Sequence, residues 1–186
     1  MDDLKRIRLK IKDDKRYKAI RNLYKTQDIF QIPISEYREE CRAMFKGRRI
    51  RGLSLRDDNA VYKVAESIVQ DQSYRSRMSE IYSLLSESCR TMEELLSRFS
   101  DYATVTFARD LKALGTVNER TKAIKASLET YYQYSAEARL LMEEIDIYIK
   151  DIDKAGFAFK SLVDTLELIS QREFSIPTPK SKKKRS

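Results

Sequence analysis

Ten apolar positions, Ala138, Leu141, Ile145, Tyr148, Ile152, Ala155, Phe159, Leu162, Leu166 and Ile169, recur at alternating spacings of three and four. A strand would set alternate residues on one face, so this pattern excludes one. The mean period of about 3.5 residues describes a helix with one narrow apolar seam, held over roughly 48 Å at about 1.5 Å per residue. Such a seam predicts coiled-coil-like packing, within one chain or between chains. The other reading is the core stripe of an ordinary bundle. Ile124 and Tyr131 extend the pattern backwards.

The rest of the chain reads as helices too. Met78, Ile81, Leu85, Met92, Leu95 and Phe99 form a second seam, on a helix expected from a cap at Asp57-Asp58-Asn59 to about Tyr102. The polar run from Gln70 to Arg77 predicts a break or an exposed stretch. Ala103 to Thr106 predicts a bend. Phe107, Leu111 and Leu114 predict a short helix closed near Gly115. Residues 2–26 read as one basic helix, too thinly apolar to be stable without a partner. Ile29 to Pro33 is a connector, because Pro33 biases Ile32 away from helix. Ser35 is the expected N-cap of a helix to about Lys46, and Lys46 to Gly52 reads as a basic loop.

Only 4 Gly and 3 Pro interrupt 186 residues, a composition of long helices with few turns. The fold class is therefore all-α: a self-associating long-helix bundle with a coiled-coil-like C-terminal helix. Three regions are expected: a basic helical extension (1–56), a helical oligomerisation domain (57–176) and a disordered basic tail (177–186). Assembly is assigned to Leu141, Ile145, Tyr148, Ile152, Phe159, Leu162 and Leu166.

Charge is segregated along the chain. Residues 1–56 hold 17 Lys/Arg against 8 Asp/Glu, residues 57–176 hold 15 against 21, and the last ten hold 5 against none. Such segregation points to an anionic partner, nucleic acid or a membrane surface. No apolar run reaches the roughly 20 residues that span a bilayer. The N-terminus lacks the apolar core of a secretory signal. The expectation is a soluble cytoplasmic protein with no membrane partner.

Catalytic chemistry is not visible. There is no His, so no Ser-His or Cys-His nucleophile pair is possible. Cys41 and Cys89 form no zinc spacing, and Gly47 and Gly52 lack the Lys-Ser/Thr of a phosphate loop. Glu143, Glu144, Asp146, Asp151 and Asp153 read as a solvated face in preference to a metal site. The chain is read as a non-enzyme with no metal or cofactor.

The candidate nucleic-acid contacts are Lys46, Arg48, Arg49 and Arg51 in the basic loop, and Lys182, Lys183, Lys184 and Arg185 in the tail. Arg75, Arg77, Arg90 and Arg98 join them as a row on the second-seam helix, with salt bridges to Glu87, Glu93 and Glu94 as the competing reading. Tyr17, Tyr24, Phe30, Tyr37 and Phe45 alternate with cations in the basic segment. Single-stranded nucleic acid favours that mixture, since cations neutralise phosphate and rings stack on bases. Aromatic residues in helices are nevertheless more often core.

From Asp57 onward, about two thirds of the chain resembles the phage recombination mediators of the UvsY type. The resemblance lies in an Asp opening a long helix with Tyr62 and Ala65, then Arg98 with Tyr102, then Glu119-Arg120, and last Gly156-Phe157-Ala158-Phe159-Lys160. It implies a ring-forming helical oligomer that binds single-stranded DNA. Such a protein helps a RecA-like recombinase replace the single-strand-binding protein. The family's basic pair for DNA is matched only at Arg98, with Leu96 two positions before it. The alternatives are a duplex-binding ring like the small terminase subunits of phages, and a coiled-coil scaffold or membrane-surface bundle.

Overall fold

A computed structural model of the protein describes residues 3–48 and 60–174. Every regular element among them is helical. In order they are α1 (Asp3–Asp13), α2 (Lys15–Thr26), a 3-10 turn (Asp28–Phe30), α3 (Ile34–Lys46), α4 (Ala60–Thr106), α5 (Ala108–Lys112), α6 (Val117–Ser127) and α7 (Glu129–Phe174). The cap expected at 57–59 lies outside the described residues.

Helices α4 and α7, each about 70 Å long at 1.5 Å per residue, form an antiparallel hairpin joined by α5 and α6. Their register is fixed where Ser88 Oγ meets Tyr134 Oη at 2.7 Å and Arg75 meets Asp153. The two sequence seams face each other. Met78, Ile81, Leu85 and Met92 of α4 are fully buried with Ala138, Leu141 and Ile145 of α7. Leu96 takes the buried place expected of Leu95, because the spacing from Met92 through Phe99 to Ala103 is carried by Leu96.

The basic segment is the third layer of the bundle. Helices α2 and α3 run parallel to α7 along the hairpin groove. Tyr17 donates to the Ser127 carbonyl at 3.2 Å, Arg42 meets Glu144 at 2.7 Å, and the Phe45 ring stacks on Tyr148 at 4.3 Å. Helix α1 lies on α6 and buries Ile7 and Ile11 completely. One continuous core runs from Ile7 to Ile152, crossing the expected boundary at residue 56.

Several local expectations are corrected. The single helix over 2–26 is two helices, because the Asp14 carboxylate accepts the Arg16 and Tyr17 amides at 2.7 and 3.3 Å and starts a new one. Pro33, not Ser35, precedes the first residue of α3. Gln70 to Arg77 is unbroken helix, with Gln70, Asp71, Arg75 and Arg77 partnered and Gln72, Ser73 and Ser76 exposed. Ala103 to Thr106 is also helical, and the chain turns at Phe107 instead. Ile124 belongs to α6, separated from α7 at Leu128.

The assembly assignment changes most. Leu141, Ile145 and Ile152 are buried in their own chain's core, and Tyr148 is half-buried against Phe45. They are closed to a second copy because α4 and α3 already cover them. Phe159 is half-buried where the third layer has ended; the side chains of Leu162 and Leu166 lie outside the described residues. Among the described residues, only α4 and α7 continue beyond Asp71 and Ile152, with Tyr62, Val69, Phe157 and Leu168 exposed.

Candidate nucleic-acid interface

Of the six singled-out cations that lie among the described residues, Arg48, Arg75, Arg77 and Arg98 are held by carboxylates. Arg48 is the clearest case. Its Nε and Nη2 grip the two Asp71 oxygens at 2.9 and 2.8 Å, and Nη1 reaches Asp151 at 2.6 Å. The Arg48 and Asp71 side chains are only 7% and 8% exposed. Burial works against the charge of Arg48, but the hydrogen bonds to Asp71 and Asp151 outweigh it and raise the pKa. Arg48 is thus a buried clamp joining the end of α3 to both long helices, and the loop assignment is corrected for it.

Arg75 pairs with Asp153 at 2.7 Å, and Arg77 with Glu40 at 2.7 Å and Glu80 at 3.2 Å. Arg98 is held by Glu94 one turn earlier. Of that row only Arg90 is exposed without an ion pair, beside Tyr82 and Glu87. Lys46 is exposed and makes no ion pair among the described residues. Arg49, Arg51, Lys182, Lys183, Lys184 and Arg185 lie outside the described residues. The carboxylates near residue 150 are engaged similarly: Glu144 by Arg42, Asp151 by Arg48, Asp153 by Arg75 and Asp146 by Lys150.

The aromatic side chains of the basic segment face inward. Tyr17 sits edge-on to Phe99 and Tyr131 at 6.0 and 6.2 Å, and Tyr24 to Tyr131 and Tyr134 at 5.2 and 5.5 Å. Phe30 is 2% exposed. These rings fasten the basic segment to the acidic hairpin and are not presented to bases.

A different cluster of charge emerges from the fold. The docking of α1 on α6 brings two basic stretches to one end of the molecule. Residues 3–26 hold ten Lys/Arg against three Asp/Glu, and residues 107–128 hold five against two. Lys10 pairs with Asp110 at 2.6 Å, and Arg8 donates to the Ala126 carbonyl at 2.7 Å. At the junction, Tyr102 Oη donates to Asp14 at 3.0 Å and its ring lies 4.1 Å below the Arg16 guanidinium. Lys5, Lys12, Lys15, Arg109, Lys112 and Lys125 are exposed there and make no ion pair among the described residues. Reading along the chain assigns phosphate contact to the basic first segment but misses the α5 and α6 half of this site, which comes from the region whose net charge is negative. The signal available was local: Arg120, Lys122 and Lys125 within one short helix.

Among the described residues no helix is long and apolar enough to cross a membrane, and no group of carboxylate or thiol side chains is arranged to hold a metal. No family model, no curated protein and no solved structure matches this chain.

Proposed function

We propose that this is a non-catalytic nucleic-acid-binding protein that holds the phosphate backbone with the end formed by α1, α2, α5 and α6. The carrying observation is the set of exposed cations at that end that make no ion pair among the described residues, while Arg42, Arg48, Arg75 and Arg77 elsewhere are held by carboxylates. A surface region dominated by one sign of charge attracts a partner of the other sign. With the aromatic rings buried, affinity comes from phosphate neutralisation and is steeply salt-dependent.

The resemblance to UvsY-type mediators supports the finer reading. In it the nucleic acid is single-stranded DNA, and the protein partners are a RecA-like recombinase and the single-strand-binding protein it displaces. Self-association belongs to the same reading. Its support is the two-helix extension, where Phe157 is 74% and Tyr62 76% exposed, instead of the buried Leu141 and Ile145.

Fluorescence anisotropy with labelled oligothymidine and a matched duplex, over a salt series, tests the proposal. The expected result is binding to the single strand with log affinity falling about 0.7 per phosphate contact for each decade of salt, and tighter binding there than to the duplex supports the mediator reading. Duplex preference would favour the packaging-ring alternative. No binding to either at low salt would overturn the nucleic-acid reading.

A further inference from the structure

A cavity of about 200 Å³ lies between the end of α4, α5 and α6. Two cations, Lys112 and Arg120, and two hydroxyl side chains, Thr104 and Thr121, share its lining with apolar residues such as Leu111 and Ile124. No carboxylate among the described residues lines it. The nearby acids are turned elsewhere: Glu119 accepts the Thr116 amide at 2.8 Å and its hydroxyl at 3.0 Å, and Asp110 is held by Lys10.

Arg120 is positioned but unsatisfied. Its Nη2 donates to the Gly115 carbonyl at 2.6 Å, which fixes the guanidinium against the turn. Its Nε is buried and has no acceptor. Buried donors are nearly always paired, by protein, ordered water or a bound ion. Thr104 and Thr121 give their protons to the Ser100 and Val117 carbonyls, so the available donors are those of Arg120 and Lys112. Planar guanidinium N–H groups beside a lysine, between apolar walls that raise the local strength of charge interactions, suit a phosphoryl oxygen.

We propose that this cavity is a phosphate subsite, in which Arg120 and Lys112 grip one phosphate group of the nucleic acid bound at the basic end. The assignment rests on the proposed function and adds to it a particular anchor. The remaining cations of that end contribute field, while this pair fixes where the backbone sits.

Inorganic phosphate titrated into nitrogen-15-labelled protein tests the subsite directly. The Arg120 Nε–H signal and the amides of residues 115–121 should shift saturably. The shift should be lost in Arg120→Gln and weakened severalfold in Lys112→Gln. Lys112 is exposed, so that variant remains informative if Arg120→Gln loosens the turn. In parallel, the oligothymidine salt slope of Lys112→Gln should be shallower by about 0.7. No saturable shift in the wild type overturns the subsite. An unchanged slope in Lys112→Gln, with a shallower one in Lys5→Gln and Lys12→Gln, overturns it while the basic-end reading stands. A saturable phosphate shift in a protein that binds no oligonucleotide supports the cavity as an oxyanion site and overturns the nucleic-acid reading.

Discussion

Arg48 shows how little a residue's type says about its use. In sequence it is one of four cations beside two glycines. In the fold it bridges Asp71 and Asp151 from a nearly closed position, with its guanidinium 5.5 Å from the Phe45 ring. Removing it leaves Asp71 buried and uncompensated, so Arg48→Ala should destabilise the protein by about 3 kcal/mol, read by urea melts. The oligothymidine salt slope measured under native conditions should not change, which separates a clamp from a phosphate contact. The thiols are similarly enclosed. Burial, helped by Glu40 and Glu144, pushes the Cys41 thiol up to about 11, and burial also raises Cys89. Both should resist a thiol reagent at neutral pH in the folded protein and react promptly in denaturant. Fast labelling of either in the native state would contradict the core described above. Neither Arg48 nor the thiols could be resolved from sequence, because their partners lie 23 or more positions away and carry no local mark.

At the scale of elements the sequence was more legible. The seams on α4 and α7 are periodic enough to reveal both helices, and the short α5 ends near Gly115 as its spacing suggests. What periodicity could not say is that the seams pack on each other. A narrow stripe has the same spacing whether its partner is in the same chain or another. Breaks were also misjudged. Gln70 to Arg77 reads as a break or an exposed stretch because it is polar, yet the helix continues through it, with Asp71, Arg75 and Arg77 held by partners distant in sequence. Asp14 was passed over although an aspartate directly before a basic helix is a cap. Its carboxylate serves α2 and Tyr102 together. Asp14→Ala should therefore cost about 1 to 2 kcal/mol in a denaturant melt, and Asp14→Asn, which retains capping, should recover most of it. Equal losses in both variants would assign the effect to charge. Gly115 is the other local stop. It has φ +85°, and a Cβ there would meet the Glu119 carboxylate at 2.9 Å, so the turn that positions Arg120 requires glycine.

For the whole molecule, charge along the chain and charge in space are different quantities. Along the chain, the basic first stretch reads as an appended extension. It is instead a structural layer whose aromatic and apolar side chains complete the hairpin core, and its paired arginines tie it to the acids of α4 and α7. Its unpaired lysines collect with those of α5 and α6 at one end. The account's central claim is that this end, and not the row Arg75 to Arg98, meets nucleic acid. Lysine acetylation footprinting with and without oligothymidine, read by mass spectrometry, tests it most directly. The account predicts protection of Lys5, Lys12, Lys15, Lys112 and Lys125, with Lys154 and Lys160 on the two-helix extension modified as before. Protection of Lys154 and Lys160 with the basic end left open would contradict it.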